Sequence, residues 1–150
     1  MNPPCASHIV HISYWEFFQK YFSPLIKEMD ILLKSIDEPV PVKEAARVLT
    51  LTPESVEEIM AREGINEIDQ EGFFRIAMYG DSSLCRMLQR ECMCGTPEKY
   101  SPSHIAYIYG LQDKHVASVC REYGYNDDEI TARDLPKLLS KIFIYITINE

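Results

Sequence analysis

The sequence predicts an all-α chain in which one three-helix motif occurs twice behind an N-terminal helical arm. Three observations lead there. Apolar residues recur at steps of three and four through most of the 150 residues. Helix punctuation is written at Thr52-Pro53, Gly64, Asp69 and Gly124. A shift of 60 positions lays Ala46 on Ala106, Leu51 on Leu111, Val56 on Val116 and Gly64 on Gly124.

The arm, residues 1–39, opens with a loop over 1–7 marked by Pro3 and Pro4. Trp15, Phe18, Phe22, Leu25, Met29, Leu32 and Ile36 then form a helical stripe that also fits a heptad seam. Phe17, Tyr21, Ile26 and Leu33 widen it. Pro24 interrupts it, and Ser23-Pro24 reads as a cap followed by a first-turn proline, giving two helices or one kinked helix. The stripe has two readings. It packs on its own domain, or it serves dimerisation through Trp15, Phe18, Phe22, Leu25 and Met29.

The first unit with its connecting helix spans 40–98. Val42, Ala45, Ala46 and Leu49 share one helical face, and Thr50-Leu51-Thr52 is a turn. Thr52 is an N-cap with Pro53 behind it. Val56, Ile59 and Met60 make a second apolar face that Gly64 ends in a left-handed conformation. Residues 65–68 are a short extended link. Asp69 caps a third helix carrying Phe73, Phe74 and Ile76. A further helix over 81–91 turns Leu84, Met87 and Leu88 inward, before the loop Cys94-Gly95-Thr96-Pro97.

The second unit and an apolar tail fill 99–150. Leu49 meets Tyr109 and Ile59 meets Val119. With two residues inserted, Ile68 meets Ile130, Phe73 meets Leu135 and Ile76 meets Leu138. Thr131 caps the third helix, with Asp134 as a capping-box acid and Pro136 late enough to bend it. The tail 142–148 is β-branched and aromatic, so it extends the last helix or forms a short C-terminal strand. The links after Gly64 and Gly124 are its only candidate partners.

Two short helices crossing steeply through a tight turn need a small residue at the crossing and apolar residues around the turn. They also favour a turn residue that tolerates positive φ. The second unit supplies Ala106 at the crossing and Gly110 in the turn. Ile105, Tyr109, Leu111, Val116 and Val119 form its core. The first unit supplies Ala45, Ala46, Leu49, Leu51, Val56 and Ile59, and departs at Thr50, where glycine is usual. The run from Val42 through Val56 resembles the helix-turn-helix of the MerR and excisionase-like families, and the likeness covers roughly a third of the chain. No basic wing accompanies it.

The resemblance implies that the second helix of a unit enters a DNA major groove. In the second unit the reading residues would be Gln112, Lys114, His115, Ser118 and Arg121, side chains able to bond base edges or phosphates. The same positions in the first unit bring Glu54, Glu57 and Glu58, which phosphates repel. Residues 40–76 hold four basic and eight acidic side chains, whereas 99–149 hold six of each. Any DNA contact therefore falls to the second unit. The acidic first unit points instead to a protein partner.

Composition bounds the rest. With 46% hydrophobic and 25% charged residues the chain is globular rather than disordered. Its net charge of −8 opposes avid non-specific binding to nucleic acid. Five cysteines in no framework spacing suit free thiols in a reducing compartment, hence a cytoplasmic expectation. The apolar patch Ile9–Ile12 lacks a basic segment before it, and no run reaches the roughly 20 residues of a membrane span. Cys5, His8 and His11 are spaced like metal ligands but lack a fourth, so neither metal nor cofactor is expected. Cys85 and Cys92 share a helical face and read as small apolar packing. His104 and His115 have no nucleophile and acid about them, and no phosphate loop is present. The expectation is a small non-enzymatic regulatory protein of helix-turn-helix type, with DNA, a protein partner or a second copy as candidate partners. The rival expectation is an acidic interaction adaptor on the same scaffold.

Overall fold

The computed structural model describes residues 7–34, 37–95, 97–126 and 129–149. Nine helices and two strands are present among them. The chain opens on a strand, β1 (Ser7–Ser13). Ser13 ends it and caps α1 (Tyr14–Tyr21), its hydroxyl accepting from the Glu16 amide at 3.2 Å. Phe22 separates α1 from α2 (Ser23–Lys34), which carries Pro24 in its first turn. The arm is thus two helices, since proline is tolerated in a first turn and not within a continuous helix.

Helices α3 (Val42–Leu49), α4 (Pro53–Glu63), α5 (Gln70–Tyr79) and α6 (Ser83–Cys94) follow. The predicted caps are in place. Thr52 accepts from the Ser55 amide at 3.1 Å and Asp69 from the Gly72 amide at 2.7 Å. Phe73 and Ile76 are buried, while Phe74 on the same helix faces out. In α6 Leu84 and Met87 are buried and Leu88 is half-buried.

Helices α7 (Pro102–Tyr109) and α8 (Asp113–Glu122) come next. The expected third helix shrinks to α9 (Leu135–Leu139). Asp134 does reach back to the Thr131 amide at 2.9 Å and its hydroxyl at 3.1 Å, but 132–134 is a turn. Pro136 admits only a first helical turn, so the start moves to Leu135.

The tail is a strand, β2 (Phe143–Asn149), and its partner is β1 rather than either glycine link. The two run antiparallel, with Val10 opposite Ile146 and Ile12 opposite Ile144. The Tyr14 amide continues the tie by donating to the Ile142 carbonyl at 2.7 Å. The opening loop expected over 1–7 therefore gives way at Ser7 to a strand.

The stretches 40–68 and 100–130 make corresponding backbone hydrogen bonds. Leu51 donates to Ala46 and Leu111 to Ala106, both at 2.8 Å. Ile65 donates to Met60 at 2.9 Å and Tyr125 to Cys120 at 2.8 Å. Val40 donates to Ile68 at 2.9 Å and Tyr100 to Ile130 at 2.7 Å. Thr50 after α3 has φ 55° and ψ 41°; Gly110 after α7 has φ 68° and ψ 35°.

Two apolar cores result. The first gathers Phe22, Met29, Leu49, Val56, Ile68, Phe73, Ile76, Leu84 and their neighbours. The second gathers Tyr14, Ile105, Val116, Ile130, Leu138, Ile142 and theirs. Each fully buried Leu, Ile or Phe contributes about 1.5–3 kcal/mol. Phe17, Phe18 and Tyr109 pack against both cores, so α1 and the end of α7 form the seam between them. No described helix is long and apolar enough to cross a membrane.

Candidate nucleic-acid interface

Helix α8 is held from beneath by Val116, Val119 and Cys120, all buried. Its opposite face carries Lys114, His115, Ser118 and Arg121, all exposed. Successive steps of one, three and three put these four on one side of a helix. Gln112 stands at the N-cap position without a side-chain cap bond, and it too is exposed. The five residues named from the sequence are therefore all exposed, four of them on one side of α8. Among the described residues Lys114 and Arg121 enter no ion pair. Lys141 adds a cation at the far end of the helix, 5.3 Å above the Tyr123 ring. Asp113 and Glu122 flank the surface and reduce its charge. Ten residues give α8 a length of about 15 Å, and a major groove is about 12 Å wide.

The matching face of α4 differs in sign. Glu54, Glu57 and Glu58 are exposed along it. Its one outward arginine, Arg62, lies 3.5 Å from Glu63 and 5.7 Å from the Tyr79 ring centre. Arg47 on α3 is engaged by Glu44 and Glu28.

The arm residues lie against the chain's own cores. Phe22 and Met29 are buried in the first. Leu25 is half-buried against it, as is Phe18. Trp15 packs on the second core and stacks on Phe18 with ring centres 5.5 Å apart. The stripe is thus spent mainly inside the molecule. Ile36 lies outside the described residues.

Cys5 also lies outside them. His11 stacks on Tyr145 at 4.5 Å across the sheet, and no three His, Cys, Asp or Glu side chains among the described residues are grouped to hold a metal ion. Cys85 is buried, with its Sγ 3.7 Å from the Leu49 carbonyl, whereas Cys92 is exposed, so the shared face expected of them is only half apolar. His104 is on the surface and closes a capping box, its Nδ1 accepting from the Ser101 amide at 3.4 Å.

Sequence reasoning missed a cleft of about 320 Å³ between α1, α6 and the end of α7. Tyr14, Arg86, Arg90 and Tyr109 border it. The signal that could have found it is the spacing of Arg86 and Arg90, one turn apart on α6 opposite its apolar stripe. Burial raises both tyrosine hydroxyls above the ordinary value of 10, Tyr109 to about 12 with the charge of Glu91 assisting. Comparisons with family models, curated protein sequences and solved structures returned no match.

Proposed function

We propose that the chain is a small non-enzymatic regulatory protein carrying two copies of a helix-turn-helix-like unit, the second of which contacts duplex DNA. The observation that carries this reading is the outer face of α8. Gln112, Lys114, His115, Ser118 and Arg121 are exposed together there, and Lys114 and Arg121 have no ion pair among the described residues. Corresponding backbone bonds at 46–51 and 106–111 support a shared unit. Binding is weak and strongly salt-dependent in this reading, because the whole chain is acidic. Retention of a random duplex pool at low salt tests it. The Lys114→Glu, Arg121→Glu variant should lose retention, and each cation that meets a phosphate should contribute a salt slope of about one. A parent protein that retains no duplex at any salt removes the reading.

A second reading rests on α4. Its exposed Glu54, Glu57 and Glu58 suit a basic protein partner, which would make the chain an adaptor. In that case the parent should retain no duplex DNA, and substituting all three by Gln should slow association with the partner. A DNA-retaining parent indifferent to the α4 change favours the first reading.

A further inference from the structure

Two arginines stand on the wall of the cleft between α1, α6 and α7. Arg47, Arg62 and Arg75 each have a carboxylate within 4.0 Å. Arg86 and Arg90, both on the cleft wall, have none among the described residues. Their Nε atoms are instead anchored on backbone. Arg86 donates to the Asp81 carbonyl at 3.1 Å and Arg90 to the Ile108 carbonyl at 3.0 Å. Those bonds engage one nitrogen of each guanidinium group, and the terminal nitrogens make no hydrogen bond among the described residues. A Cβ placed on Gly110 would lie 3.4 Å from one of the Arg90 nitrogens, so this group rests against the turn after α7.

The opposite wall is aromatic. The rings of Tyr14 and Tyr109 are 5.4 Å apart and those of Tyr14 and Phe17 5.6 Å. Tyr14 is only 3% exposed. Its hydroxyl makes no hydrogen bond among the described residues, yet no buried polar side-chain atom is left without a partner. The hydroxyl is therefore not sealed from solvent, and Tyr14 lines the cleft. Tyr14 and Arg90 line the same cleft, and the Arg90 charge acts on the hydroxyl. Both tyrosines hold their protons well above neutral pH, so both are donors there. Ser83, the first residue of α6, lies on the rim and brings the positive end of a 12-residue helix. No acid lines the cleft among the described residues; Asp81 precedes α6, and Glu91, whose charge acts on Tyr109, follows Arg90.

We infer that this cleft binds a small organic anion, a phosphate monoester or carboxylate on a flat apolar body. Arg86 and Arg90 would hold the oxyanion in the forked geometry that guanidinium favours. The Tyr14 hydroxyl would donate a further bond, and the ring wall would cover the apolar part. The volume fits a ligand of one ring, at the lower end of small-molecule sites. The site does not depend on any contact with DNA.

Calorimetric titration of the full chain tests this, with phenyl phosphate, benzoate and inorganic phosphate as probes and phenol as the neutral control. Saturable binding of phenyl phosphate or benzoate, with inorganic phosphate weaker and phenol absent, is the expected result. Tyr14→Phe keeps the ring and removes one donor, so it should weaken binding about tenfold. Arg86→Gln should weaken it by at least about as much. Arg90 is unsuitable for the first test because its bond to the Ile108 carbonyl ties α6 to α7, whereas that of Arg86 to Asp81 is local. Melting of both variants without probe confirms that they fold. The inference is overturned if no anionic probe saturates, if phenol binds as well as phenyl phosphate, or if both variants bind like the parent.

Discussion

Thr50 occupies a backbone conformation that side chains resist, and replacing it should stabilise the protein. It is the one non-glycine residue with positive φ among those described, at 55°. The left-handed region costs an L-residue about 1–2 kcal/mol, and branching at Cβ places threonine toward the upper end. Glycine removes that cost but loses about 0.5–1 kcal/mol through the freedom of the unfolded chain. The Thr50 hydroxyl gives up a 2.7 Å bond to the Leu49 carbonyl, but Ser82 donates to the same carbonyl at 2.7 Å, so no acceptor is orphaned. Thr50→Gly should therefore gain about 0.5–1 kcal/mol, or roughly 1–4 °C in melting midpoint for a chain of this size. Gly110→Thr is the reciprocal change. It should lose about 1–2 kcal/mol, because it adds the same strain and crowds the Arg90 nitrogen 3.4 Å from the new Cβ. Thermal unfolding by circular dichroism, with urea titration as a check on the slope, measures both. A lowered midpoint for Thr50→Gly beside an unchanged one for Gly110→Thr would refute the equivalence of the two turns.

The caps should be as unequal as the turns. Thr52→Ala removes a side-chain cap and should cost about 1 kcal/mol in urea unfolding, whereas Gln112→Ala, with no cap bond to lose, should stay within about 0.5 kcal/mol of the parent. Leu49→Ala and Leu138→Ala, one in each core and both fully buried, should each cost about 2–5 kcal/mol; a loss below 1 kcal/mol at either would mean that core can collapse around the gap. Alkaline unfolding has a definite sign. An unfolded tyrosine releases its proton near 10 and folded Tyr109 near 12, so between these values the unfolded chain binds fewer protons and stability falls as pH rises. Tyr109→Phe should flatten that limb, as read by stability against pH. Glu91 is raised by burial, so its ionisation opposes folding; Glu91→Gln should be more stable than the parent at neutral pH, and the advantage should vanish below the ordinary carboxylate value of 4.5.

Local chemistry made much of the fold legible and long-range pairing hid the rest. Thr52, Asp69, Gly64 and Gly110 declare themselves because a cap or a positive φ restricts residue type at one position. The helical stripes were legible because burial imposes a period. The partner of β2 was not, since pairing across almost the whole chain leaves no short-range trace, and β1 offers only the brief run Ile9-Val10-His11-Ile12. Tyr14 was overlooked for a related reason. It lies beside the stripe counted from Trp15, yet it is buried in a core made by residues far along the sequence. The outer face of α8 could be named residue by residue because exposure there is the complement of a readable apolar pattern. The cleft could not, because it needs α1 and α6 brought together.

Pairing the first strand with the last has a consequence for biosynthesis. At about 5–20 residues per second, the ribosome makes β1 roughly seven to twenty-seven seconds before β2. For that interval the nascent chain carries an unsatisfied strand edge with Ile9, 75% exposed even in the finished protein, beside it. The second core waits as well, since its Tyr14 is made 128 residues before its Ile142. The helices around the first core can be packed by then. What remains is a late closure, and it is during that wait that the chain is most open to a chaperone or to a neighbouring nascent copy.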